Sequence, residues 1–186
     1  MNRRRMLPAA LLLAACLAAV PAAAQTAYSE LALSARPDTL VDHLTVAYGD
    51  PFTAYVVLVG PEGSPLPFGL QRLDWALLES CCGGSPAQMV VTEGWPGFQD
   101  SGDPTQGRVT EALDCATGDV VPIATLTFDW IFTPNRVFYL AAAALTAART
   151  CDGGEEILLG HSLAVTPTGV TPAEPRAWGA VKAAYR

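Results

Sequence analysis

Leu126-Thr127-Phe128-Asp129-Trp130-Ile131-Phe132 alternates four large apolar side chains with a mixed set, and this period of two decides the fold class. In an extended chain successive side chains point to opposite sides, so Leu126, Phe128, Trp130 and Phe132 share one face and Thr127, Asp129 and Ile131 the other. Such a strand buries one face and leaves the other toward water.

The same rhythm runs through the rest of the chain. Thr133-Pro134-Asn135-Arg136 turns it back into Val137 to Ala147, where an alanine run dilutes the strand signal and leaves a helix open. Leu70 to Leu78 fits a helical stripe through Leu70, Leu73, Leu77 and Leu78, and also an alternation through Leu73, Trp75 and Leu77; it is read as a strand. Leu44, Val46 and Tyr48 alternate with smaller residues before Gly49-Asp50-Pro51 and the run Phe52 to Val59, a pattern that predicts a hairpin. Ala87 to Glu93 and Glu155 to Val165 are further strands, whereas Gly60 to Pro67 and Gly94 to Gly107 read as loops by their Pro, Gly and polar content. Many short strands between turn signals predict an all-β sandwich or barrel.

Outside this body the chain changes character twice. Residues 1–24 carry Arg3, Arg4 and Arg5, an apolar run from Met6 to Val20, and Ala22-Ala23-Ala24 before Gln25, the three parts of a cleavable signal peptide. Pro8 and Pro21 bound a run shorter than the roughly 20 apolar residues a spanning helix needs, so no transmembrane segment is expected in the mature chain. Leu13-Ala14-Ala15-Cys16 resembles a lipobox, and lipidation of Cys16 is the less favoured route because an apolar stub follows the cysteine. At the other end, residues 166–175 form a Pro/Thr-rich linker after a 25–165 domain. Residues 176–186 then form a tail in which Trp178, Val181 and Tyr185 stand at i, i+3 and i+7, beside Arg176, Lys182 and Arg186.

All 18 acidic residues lie beyond residue 24 and three of the 11 basic ones precede it, so the mature formal charge is 8 − 18 = −10. A nucleic-acid partner is excluded on that balance. The mature chain keeps Cys81, Cys82, Cys115 and Cys151, and an even number of cysteines in an exported chain predicts two disulfides. Neighbouring cysteines close only a strained ring, so Cys81 and Cys82 are each expected to reach Cys115 or Cys151.

Gly160-His161-Ser162-Leu163-Ala164 mimics a nucleophile elbow, but Pro167 follows where a helix is required and no histidine comes after His161. A secreted hydrolase using Ser162, or an unidentified acid pair, is therefore the alternative reading, not the first. His43 and His161 are far apart with no partner at zinc-ligand spacing, and Asp100, Asp103, Asp152, Glu155 and Glu156 match no calcium loop. No metal or cofactor is expected. Trp95 and Phe98, in a Gly- and Pro-rich loop, are candidate ligand contacts, and through them a carbohydrate-binding module is a further alternative.

The layout of residues 40 to 166 resembles small secreted bacterial β-sandwich proteins, immunoglobulin-like or cohesin-like in architecture and mostly without assigned activity. The ending Trp178-Gly179-Ala180-Val181-Lys182-Ala183-Ala184-Tyr185-Arg186 is similar to a Trp-Gly-x-x-Lys-x-x-Tyr-Arg tail on other secreted bacterial proteins. The resemblance implies an antiparallel, immunoglobulin-like sandwich with disulfides, and a docking or attachment role for Trp178, Val181, Lys182, Tyr185 and Arg186. Dockerin binding is not implied, because no binding residue can be matched. The expectation is an exported, non-catalytic β-sandwich, periplasmic or extracellular, that binds a protein or glycan at the cell envelope.

Overall fold

The computed structural model describes residues 29–61, 65–79, 87–130 and 138–168. They form twelve strands: β1 (Glu30–Ser34), β2 (His43–Ala47), β3 (Phe52–Val59), β4 (Leu70–Glu79), β5 (Ala87–Gly94), β6 (Phe98–Asp103), β7 (Gly107–Ala116), β8 (Val120–Trp130), β9 (Phe138–Ala144), β10 (Ala148–Thr150), β11 (Glu155–Glu156) and β12 (Leu159–Thr168). The all-β sandwich is as the alternating patterns require.

One layer runs β1-β3-β8-β5, every neighbour antiparallel. The other runs β6-β7-β4-β9-β12-β2, with β10 continuing along β4 and β11 beside β10. β12 joins the layers: Leu159 to His161 lie parallel to β1, Ser162 to Val165 antiparallel to β9, and Ala164 to Thr168 parallel to β2.

Between the layers sits the core. Leu126 and Phe128 are buried and Asp129 exposed, as the alternation of β8 demands. Phe128 stacks on Phe52 of β3 with ring centroids 5.1 Å apart. From the opposite layer Leu73 and Trp75 of β4, and Leu163 and Val165 of β12, complete the same cluster. Burying each such side chain is worth about 1.5–3 kcal/mol, so the stripe of one residue in two supplies most of the drive to fold.

Four expectations need correction. β2 and β3 do not form a hairpin. Gly49 (φ +89°) and the Asp50 N–H···O=C bond to Ala47 (3.1 Å) make the expected turn, but it carries the chain from one layer to the other. Alternation tells which residues face inward, and Val46 and Phe52 do so from opposite sheets; it does not name the neighbouring strand. Residues 94–107 are not all loop, because β6 pairs with β7 from Phe98↔Ala112 to Asp103↔Gly107. Its polar composition hid it: Asp100 points inward and is satisfied there by Arg108.

Residues 166–168, expected as the start of a linker, are strand. Thr166, Pro167 and Thr168 belong to β12, where Thr168 Oγ1 donates to Val46 O (3.3 Å) and Tyr48 N–H to Thr168 O (2.9 Å), so the strand runs past its proline. Finally, Cys115 is bonded to Cys151 (Cα–Cα 5.7 Å), which overturns the pairing of these two with Cys81 and Cys82. The ends of β7 and β10 meet beside Gly69, and that convergence, invisible in the spacing, fixes the bridge. Cys81 and Cys82 lie outside the described residues, as do Cys16, the 1–24 signal, Ile131, Phe132 and the 176–186 tail.

Candidate functional site

Because side chains alternate along β4 and β9, each burial of an inward residue dictates an outward neighbour. Trp75 and Leu77 of β4, and Leu140 and Ala142 of β9, face the core. Ala76 and Leu78 therefore face out, directly opposite Ala143 and Ala141. Tyr139 stands opposite Ala164 of β12, and Ala141 opposite Ser162. Leu145 extends the ladder one residue past β9 through its N–H to Asp74 O, 2.8 Å.

These residues make one apolar surface. Half-buried Ala141, Ala143 and Ala164, with Ala76 buried beside them, form its floor, and Leu78, Tyr139 and Leu145 rise from it, 50%, 51% and 53% exposed respectively. Small floor residues let another backbone approach closely, while the three larger side chains supply apolar area at its rim. The alanine run that blurred the strand signal in the sequence is thus the floor of an outward face. Contiguous exposed apolar surface of this kind marks interaction sites.

Charge closes one end of the face. Arg72 Nε lies 3.0 Å from Asp74 Oδ1, and Arg72 Nη1 lies 3.1 Å from Glu111 Oε1. Arg149 of β10 stands opposite Arg72, and Glu155 of β11 opposite Arg149, so three carboxylates against two guanidinium groups leave that end acidic. Asp103, in the β6–β7 turn, accepts from the N–H and the hydroxyl of Thr105, both at 2.8 Å, and the bonds hold its carboxyl below the usual range.

Beneath β6 and β7 a polar network anchors the edge of this layer. Arg108 Nη2 is 3.2 Å from Asp100 Oδ2, Thr110 Oγ1 donates to Asp100 Oδ1 (2.5 Å), and the Trp75 indole N–H donates to Thr110 Oγ1 (3.0 Å).

The other residues singled out in the sequence fall elsewhere. Ser162 is exposed in the middle of β12, and the six residues after it, to Thr168, are strand where an elbow would need a helix. Trp95 is half-buried, edge-on to Tyr55 with centroids 6.2 Å apart, and Phe98 is half-buried against the core. The two histidines, distant in sequence, meet at Asp42: His43 Nδ1 is 3.2 Å from Asp42 Oδ1, and His161 Nε2 is 3.9 Å from Asp42 Oδ2. His161 Nδ1 also lies 3.3 Å from Glu30 Oε2. The hydrogen bond with His43, aided by the nearby His161, holds Asp42 below the usual carboxylate range. Among the described residues, no group of three or more His, Cys, Asp or Glu could hold a metal ion, and no helix is long and apolar enough to cross a membrane.

Comparison with solved structures places this fold. A cohesin module from a Clostridium perfringens family 33 glycoside hydrolase superposes with a TM-score of 0.52 at 11% identity, covering 76% of this chain and 98% of that one. A type I cohesin–dockerin complex from Clostridium thermocellum gives 0.51 at 10% identity, covering 74% and 99%. A non-cellulosomal cohesin from the archaeon Archaeoglobus fulgidus gives 0.51 at 9%, covering 77% and 94%. The chain has a cohesin-like β-sandwich fold. No family model matches the sequence, and no curated protein matches it.

Proposed function

We propose that this protein is an exported, non-catalytic binding module that captures another protein at the cell envelope through the outward face of β4 and β9. The observation that carries this reading is the contiguous alanine floor rimmed by Leu78, Tyr139 and Leu145, a surface suited to a protein partner and not to a reacting small molecule. The signal-like residues 1–24 and the disulfide support export to an oxidising compartment. The fold supports the reading as well, since one of its structural neighbours is a cohesin in complex with a dockerin.

Photo-crosslinking in the producing cells tests it. A benzophenone amino acid at Ala143 is expected to yield a discrete protein adduct, and the same group at Thr125, on the outward face of the other layer, none. Equal adducts at both positions, or none at Ala143, would reject the face as a docking site.

A further inference from the structure

We infer that the chain's own C-terminal segment, Trp178 to Arg186, docks in cis on the outward face of β4 and β9. The inference rests on the face proposed above as a docking surface, and it assigns that face an intramolecular occupant.

Three observations favour this segment. The first is position. Ala164 of β12 pairs with Tyr139 at one end of the face, and β12 continues four residues further to Thr168, about 13 Å at ~3.3 Å per residue. Residues 169–177 then connect β12 to Trp178, and nine residues span at most about 30 Å. The connection covers the return to Tyr139 with length to spare. On so short a tether the effective concentration is on the order of millimolar, so a weak contact is enough for occupancy.

The second is shape. Trp178, Val181 and Tyr185 stand at i, i+3 and i+7, which on a helix makes a single apolar stripe about 10 Å long at 1.5 Å per residue. Tyr139 and Leu145 are six residues apart on one strand line, about 20 Å, so the stripe fits within the face and its large rings meet the alanine floor. The third is charge. Residues 176–186 contain Arg176, Lys182 and Arg186 and no acidic side chain, whereas the far end of the face carries three carboxylates, Asp74, Glu111 and Glu155, against two guanidinium groups, Arg72 and Arg149. A segment entering from Thr168 brings its final arginine toward that acidic end.

The result is a face covered by the chain itself until a partner displaces the segment. A benzophenone amino acid in place of Trp178, and separately of Tyr185, in the full mature chain tests this. Irradiation of the purified monomer is expected to join the segment to peptides of β4 or β9, and Leu78→Asp is expected to abolish the adduct without lowering the melting temperature. Attachment to the β3–β8 side, adducts that link two chains, or no adduct from either position overturns the inference. If that happens while the Ala143 crosslink to an envelope protein persists in a chain lacking residues 176–186, the docking reading stands and only the intramolecular occupant falls.

Discussion

Asp100 and Arg108 face each other within the β6–β7 pair, Oδ2 to Nη2 3.2 Å, with 8% and 11% of their side chains exposed. A buried pair of this kind adds little over an apolar replacement of both partners, but removing one partner leaves the other charge desolvated. Asp100→Ala is therefore expected to lower the unfolding free energy by about 3–5 kcal/mol. Trp75→Phe removes the indole donor to Thr110 and part of a fully buried ring, and is expected to cost less, about 1–3 kcal/mol. Urea unfolding of the two variants side by side gives the ranking; equal losses would show that the ion pair does not anchor β6.

Gly69 (φ +66°) sits against the disulfide, and a Cβ there would come within 2.5 Å of Cys115 Sγ and 3.0 Å of Cys151 Sγ. Gly69→Ala meets two penalties, a left-handed backbone costing about 1–2 kcal/mol for an L-residue and overlap with the sulfurs. Deleting the bridge, whose cysteines are 36 residues apart, is expected to cost roughly 4 kcal/mol on the chain-entropy account. The two changes are coupled. In a Cys115→Ala/Cys151→Ala background the overlap is relieved, so Gly69→Ala should cost less there than in the oxidised wild type, and thermal unfolding of the four-member cycle measures the difference.

How much of this was legible beforehand depends on what each residue's surroundings reveal locally. Leu126 and Phe128 could be placed in the core because alternation is a property of one strand. The β4 strand survived an ambiguous pattern because Trp75 and Leu77 kept the period of two. β6 is not legible locally because Asp100, a residue that argues against burial, is neutralised by a partner eight positions away on another strand. The outward face of β4 and β9 is hidden in the sequence for a related reason. Alanines 141 and 143 read as a weak helical signal, and only the register with β4 shows that they and Ala76 form one surface with Leu78. The meeting of His43 and His161 at Asp42 likewise depends on the parallel pairing of β2 with β12, a long-range relation that sequence spacing does not encode.

Three exposed carboxylates contribute to the acid limb of stability. Hydrogen bonding from His43 lowers Asp42, the N–H and hydroxyl of Thr105 lower Asp103, and the hydroxyl of Thr150 with the N–H of Gly154 lowers Asp152. A carboxyl with a depressed folded-state pKa stabilises the fold above its unfolded value of about 3.9, and that contribution is lost as pH falls through the folded value. The melting temperature is accordingly expected to fall below about pH 4, while around neutrality the contribution of these groups is constant and adds no pH dependence. His43→Ala should raise the titration midpoint of Asp42 alone, which carboxyl NMR resolves; a midpoint that does not move would assign the shift to another neighbour.

Leu77 and Leu78 are consecutive in β4 and are expected to respond oppositely to the same substitution. Leu77 is 9% exposed and packs in the core, so Leu77→Ala leaves a cavity and should cost about 2–5 kcal/mol. Leu78 is 50% exposed on the outward face, and Leu78→Ala should change stability by no more than about 0.5 kcal/mol. Binding inverts the order: at temperatures where both variants are folded, the Ala143 crosslink to an envelope partner should be retained by Leu77→Ala and weakened by Leu78→Ala. A Leu78 variant that binds normally would remove the rim from the docking surface, whereas a destabilised Leu78 variant would mean that the strand presents its other side to the core.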